Sequence, residues 1–324
     1  MLGAVPRAVG RALLTPSLAD VRFAGRGFPG RDSPAARGLE AVPEAVICGF
    51  EWGMEARHLW EAEHRLETVD AALRGFAYEG ATMAFTVRDA LPAGRSDRTR
   101  ELMLGPGRPH TFLAYIGIGF AMARLPRPLW KGVLPELADN PYHPTMSWLA
   151  VDGYGFDLAY FHTERWVDRK ETARPYPWLG SPDYFPRAFD QGVGRALWFI
   201  QGARCDAVAE AVAGFPEERR ADLWSGVGLA AVFAGGAAGD ALSALLRSAD
   251  AAGPHMAQGA VFAAKARVFS GFVPDHSEDA VRALTGMGAV EAARLADEHA
   301  VEPGRHGGVP AYEVWRAGIR AHFR

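Results

Sequence analysis

With 324 residues and 49% apolar side chains, the chain is long enough for one large domain or two intimately packed ones. Its 35 basic and 38 acidic residues nearly cancel, which argues against a general pull toward nucleic acid or acidic membrane. Cys48 and Cys205 make no disulfide framework. No run of about 18 apolar residues marks a membrane span, so the expected location is cytoplasmic.

In chain order, residues 1–14 carry apolar side chains broken by Arg7 and Arg11 and read as an amphipathic helix, not a secretion signal. Residues 15–38, rich in Gly, Pro and Arg, read as an irregular arm, closing an N-terminal unit of 1–44. A first helical unit, 45–171, is predicted to hold a helix after Phe50, another over 66–76 and an apolar one over 112–125. Inside it, 87–110 places Arg88, Arg95, Arg98, Arg100 and Arg108 among Pro and Gly and reads as an inserted basic loop. A Pro-rich connector, 172–186, leads to a second unit, 187–275. There Phe189, Val193, Ala196, Leu197 and Ile200 share one helical face, and Cys205, Val208, Val212 and Phe215 the next. Pro216 followed by two glutamates opens a third helix, which Gly235-Gly236 ends. Asp275 and Glu278 predict a capping pair, and short helices at about 288–299 and 309–323 complete a C-terminal unit of 276–324. Strand signals are weak; 21–23 and 83–87 are the candidates for a short pair.

The chain also echoes itself. Phe50-Glu51-Trp52-Gly53 is answered by Phe189-Asp190-Gln191-Gly192, and 69–76 by 208–215, both at an offset of 139. Residues 115–121 then match 224–230 at 109, so the first copy carries 30 extra residues. This order predicts an old duplication. The expected fold is mainly α, with two helical halves related by a pseudo-two-fold axis and a few short strands. The Gly-x-Gly-x-Ala runs at 117–121 and 226–230 fall short of a dinucleotide fingerprint, because no strand precedes them and the third small residue comes early. Small residues at that spacing more simply let two helices approach closely.

Several constellations bear on chemistry. Glu55-x-x-His58 and Glu61-x-x-His64 have the carboxylate–imidazole spacing of di-iron sites. On one helix the two pairs would point to different faces, so a solvated charged face is expected and no metal is assigned. Glu51 and Asp190 are acids kept in both copies; brought to one cleft they could serve as acid and base. Alternatively each caps a helix or pairs with a neighbour such as Arg195. The richest segment is 140–162, whose counterpart in the second copy is mostly Ala, Val and Phe. His143 and His162 titrate near neutrality and, with Asp157, Asp190 and Glu51, form the candidate catalytic set. Tyr142, Trp148, Tyr154, Tyr160, Phe189, Trp198 and Trp224 are the candidate walls of a substrate pocket. A buried, satisfied polar network accounts for the segment equally well. No nucleophile elbow, phosphate loop or zinc spacing stands out, and no cofactor is expected.

The block Phe189-Asp-Gln-Gly-Val-Gly-Arg-Ala-Leu-Trp-Phe199, the block from Phe215 to Ala230, and Leu14-Thr-Pro-Ser-Leu-Ala-Asp20 near the start resemble a bacterial family. It is catalogued as domain of unknown function 1702, the UnbL-like proteins that accompany the polyketide synthase of enediyne cassettes in actinobacteria. The resemblance implies action on a linear conjugated polyene, by isomerisation or cyclisation through acid–base chemistry in an apolar cleft. The other implied role is a non-catalytic polyene-binding or scaffold protein. Partners would be the polyene itself, other cassette proteins or a carrier domain. The resemblance brings no catalytic residues to carry over.

Overall fold

The computed structural model describes residues 18–91 and 96–324. The amphipathic helix expected at 1–14, and Arg95, lie outside the described residues. Two one-turn helices, α1 (Leu18–Val21) and α2 (Phe23–Arg26), lead to α3 (Pro34–Glu55). Ser33 Oγ caps α3 by accepting from Ala36 N at 3.1 Å, with Pro34 in the first turn. Then come α4 (Leu59–Leu66), α5 (Ala71–Ala90), capped by the Asp70 carboxylate, α6 (Arg98–Leu104) and α7 (Thr111–Arg124). Next are α8 (Trp148–Phe161), α9 (Phe185–Ile200), α10 (Cys205–Ala213) and α11 (Glu217–Ala234). The chain closes with α12 (Gly239–Ser248), α13 (Gly253–Phe269), α14 (Asp275–Thr285), α15 (Ala289–Glu298) and α16 (Ala311–Ala321). The fold is mainly α. Among the described residues the only strands, β1 (Arg305–His306) and β2 (Val309–Pro310), form one small antiparallel hairpin.

Seven of these helices stand side by side in chain order: α3, α5, α7, α8, α9, α11 and α13. Their contacts advance in the same sense along both partners, so they run parallel. Gly49 faces Ala77 and Gly53 faces Ala81, Trp148 packs on Tyr184 and Phe156 on Phe199, and Arg187 pairs with Asp222 while Trp198 reaches Gly235. Most returns between them carry a short helix; of these, α10 packs on α12 and α12 on α14, making a second layer. The row curls, because Phe76 of α5 meets Phe233 of α11 at 6.0 Å and Arg267 of α13 donates to Ala72 O at the start of α5 at 3.0 Å.

Glycine sets the spacing. In α7, α8, α9 and α11 two glycines two residues apart stand about 200° apart around the helix and face different neighbours. Gly117 meets Glu79 of α5 and Gly119 meets Ala150 of α8. Gly192 meets Asp152 of α8 and Gly194 meets Leu223 of α11. Gly226 and Gly228 of α11 likewise meet Gln191 and Met256. At each of these a Cβ would overlap a carbonyl oxygen of the next helix. The close-approach reading of the Gly-x-Gly runs therefore holds, and it holds for four helices.

This regularity runs helix by helix. Phe76 and Phe215, matched by the two-copy alignment, occupy unlike places: Phe76 lies within α5, Phe215 in the turn between α10 and α11. The expected strand at 83–87 is part of α5, which is buried on almost every side from Gly75 to Val87 and so is mostly apolar there, as a buried strand would be; residues 21–23 are likewise in or between one-turn helices. The basic loop is largely helical too, spanning the end of α5 and all of α6. Arg88 donates to Gly53 O and Ala56 O, and Arg98 to Ala56 O and Arg57 O, satisfying carbonyls left open at the end of α3. No helix among the described residues is long and apolar enough to cross a membrane.

The glycine spacing predicts a contrast. Gly192→Ala and Gly226→Ala should each destabilise by about 1–3 kcal/mol or more, because backbone must move. Gly38→Ala, on the exposed part of α3 with nothing near its Cβ, should stabilise by about 0.5–1 kcal/mol. Denaturant titration of the three variants checks both signs.

Candidate active site

Curling the row encloses a slot. Its walls come from six helices: Val42, Val46 and Ile47 of α3; Phe76, Glu79 and Met83 of α5; Leu113, Ile116 and Phe120 of α7; Phe156 and Tyr160 of α8; Arg195 and Phe199 of α9; and Leu229 and Phe233 of α11. Its cavity volume is about 50 Å³. The slot is therefore narrow and largely apolar, and a slender chain would enter it only by parting the side chains that line it.

Four charged side chains reach it, and three are ion-paired. Arg124 of α7 pairs with Asp157 of α8, whose carboxyl burial raises while Arg124 holds it down. Arg195 pairs with Asp152, which also accepts from Gln191 Nε2 at 2.8 Å, and its guanidinium lies 4.9 Å from the Phe156 ring centre. From Gln191 the polar chain continues to Tyr312, Ser225, Gln258 and the fully buried Arg316. Glu79 is the exception. It is 1% exposed, and its Oε2 has no hydrogen-bond partner among the described residues. Burial pushes its carboxyl up to about 8, with Arg195 working against the shift and Asp152 adding to it. A carboxyl in an apolar slot that titrates near neutrality can both give and take a proton.

The chain belongs to the family described as protein of unknown function (DUF1702), whose model matches residues 5–323. No curated protein and no solved structure matches it significantly.

Of the residues that the sequence nominates, the structure brings two to the slot, Asp157 and Tyr160; the Tyr160 hydroxyl donates to Val21 O at 2.6 Å. The rest lie elsewhere. His143 is half-buried outside the slot, with Nδ1 3.1 Å from the Tyr115 hydroxyl, and burial lowers its pKa. His162 is exposed at the border of a surface groove, which Tyr154 also lines. Asp190 is buried between α9 and α11 and holds Arg219 by two bonds of 2.6 and 2.8 Å, so its role is an inter-helix ion pair, with Arg219 in place of Arg195. Glu51 is half-buried on α3 and does not line the slot. Glu51 and Asp190 therefore do not meet in one cleft. Tyr142 packs among Phe112, Phe269 and Trp315, and Trp148 against Tyr184. Phe189 packs on Tyr154 and Trp166, Trp198 donates to Gly235 O at 2.9 Å, and Trp224 borders a separate shallow pocket. These aromatics are core, as large apolar side chains between packed helices ordinarily are.

Glu55 and His58 do not share a helix with Glu61 and His64, since Glu55 ends α3 and His58 precedes α4. Glu55 pairs with Arg65 at 2.8 Å, and Glu61 accepts from Arg57 N at 2.8 Å. No group of three or more His, Cys, Asp or Glu among the described residues is placed to hold a metal.

Sequence reading missed Glu79 and assigned Arg124 no role. A signal for Glu79 existed: it is the only charged residue between Arg74 and Arg88, in a run too apolar to be a solvated face.

Two substitutions separate the slot from its scaffold. Asp190→Ala should destabilise by about 3–5 kcal/mol, because it leaves Arg219 buried and uncompensated. His143→Ala should cost about 1 kcal/mol for the lost Tyr115 hydrogen bond and leave ligand binding in the slot unchanged. Denaturation curves and ligand titration of both variants decide this.

Proposed function

We propose that the protein takes a slender, conjugated polyketide chain into the slot and moves a proton on it, with Glu79 as the acid–base group. The setting suggested by the family resemblance is biosynthesis of an enediyne or related polyketide, with the polyene supplied by the synthase, a carrier domain or another protein of the cassette. The observation that carries this reading is Glu79 itself, a carboxyl buried among apolar and aromatic side chains whose Oε2 has no hydrogen-bond partner among the described residues.

The chemistry balances without a redox partner. Glu79 as carboxylate takes a proton from a CH₂ next to the end of the conjugated run, the electron pair shifts along the chain, and the resulting acid returns the proton to a more distant carbon. The product is an isomer with its double bonds displaced by one step. Phe120, Phe156, Phe199 and Phe233 would hold the chain by burial and ring contact. Arg195, fixed by Asp152, would steady negative charge spread over the chain during the shift.

Glu79→Gln keeps the shape and removes the titrating group. Incubated with synthase-released polyene and followed by mass and absorbance spectra, it should bind but fail to convert. Wild-type turnover should rise with pH toward a plateau above an apparent pKa of about 8, the limb reporting formation of the carboxylate. Binding without conversion by wild type would favour the second reading, a protein that shields the polyene and hands it on.

Stability offers an independent check. The folded-state pKa of Glu79 is raised above its ordinary value, so the folded chain binds the extra proton between about 4.5 and 8. Stability from this group is therefore lost as pH rises through that window. Relative to Glu79→Gln, the wild type should lose on the order of a few kcal/mol between pH 4.5 and 8. Parallel denaturation curves for the two proteins would deny Glu79 its raised pKa.

A further inference from the structure

Phe161, at the end of α8, walls the slot and also lines a wide surface groove. Five arginines border this groove, Arg26, Arg127, Arg165, Arg169 and Arg174, against two acids, on a chain whose formal net charge is −3. Glu171 is matched to Arg165 at 2.7 Å and Glu164 to Arg169 at 4.0 Å. Arg26, Arg127 and Arg174 have no carboxylate partner among the described residues.

Arg26 sits at the partition itself. Its guanidinium lies 5.4 Å from the Phe161 ring centre and 5.8 Å from that of Tyr160, and Nη2 donates to Tyr160 O at 2.6 Å. Its Nε is buried and has no hydrogen-bond acceptor among the described residues. A buried charged donor without an acceptor is costly, so an anion arriving there would be held well. Guanidinium groups match the paired oxygens of carboxylate and phosphate.

We propose that this groove binds the anionic end, a carboxylate or a phosphate ester, of a ligand whose apolar remainder passes Phe161 into the slot. The inference rests on the slot being a ligand site. It adds the substrate class: a slender apolar chain carrying a terminal anion. The exposed arginines would draw in the head group, and Arg26 would hold it at the slot's mouth.

The test uses the full chain and cis-parinaric acid, a conjugated tetraene that fluoresces on entering an apolar site, beside its methyl ester. The acid should bind at least about tenfold more tightly than the ester, the effect of one charge-assisted hydrogen bond. That advantage should shrink as salt is raised. Arg26→Gln, and separately the surface double variant Arg127→Glu with Arg174→Glu, should erase most of the advantage while leaving ester binding unchanged. The ester arm shows that each variant is folded. Dodecanoate and dodecyl phosphate should both displace the probe at least about tenfold better than dodecanol, and their ranking tells which anion is preferred. Equal binding of acid and ester, or equal weakening of both in the variants, would overturn the head-group site while leaving the slot intact. Failure of wild type to bind either probe would overturn the slot, and this inference with it.

Discussion

Everything in this molecule depends on how closely its long helices approach. Helices normally pack about 8–10 Å apart, at a distance set by the side chains between them. Here glycines remove those side chains at the crossing points, so backbone meets backbone on both flanks of α7, α8, α9 and α11. Each helix glycine gives up about 0.5–1 kcal/mol relative to alanine in the helix itself. The return is a thin, tightly curved wall whose inner face can close around a narrow space. With ordinary side chains at those crossings the row would spread and the slot would widen into a solvent channel.

Close parallel packing also explains where the charge goes. Helices brought this near leave no room for solvent between them, so the ionisable groups at their contacts are paired across the seam. Asp190 with Arg219, Asp152 with Arg195, and Asp157 with Arg124 each tie one long helix to the next. Such pairs are a poor source of net stability, but breaking one leaves an uncompensated buried charge, so they fix register. Glu79 stands outside this scheme. Among the described residues it is a buried carboxyl with an oxygen left unpaired, and that difference is what the proposed role rests on.

Much of the fold was legible in the sequence. Helical periodicity at 189–200 and 205–212, the proline and glutamates at 216–218 and the glycines at 235–236 match helices where they were expected. The repeated Gly-x-Gly was correctly taken for close packing, because glycine at helical positions has few other uses. The two-copy duplication is not shown: its matched residues Phe76 and Phe215 fall in unlike places, and the Gly-x-Gly pattern recurs in four successive long helices. The site was less legible. Segment 140–162 is rich in polar and aromatic residues, and richness drew attention to His143, Trp148 and Tyr154, which serve packing. From that segment Phe156, Asp157, Tyr160 and Phe161 line the slot, and of these only Asp157 and Tyr160 were among the nominated residues. The slot is assembled from six helices far apart in the chain, so no local cluster of residue types announces it. A lone acid in an apolar helix, Glu79, was the signal that mattered.

The most direct test of the account is an experimental structure of the full chain determined with a conjugated polyene acid bound. The account predicts continuous ligand density in the slot, in contact with Phe156 and Phe199 and passing within about 4 Å of the Glu79 carboxyl. A slot closed by repacked side chains, with the polyene seated elsewhere on the molecule, would contradict it.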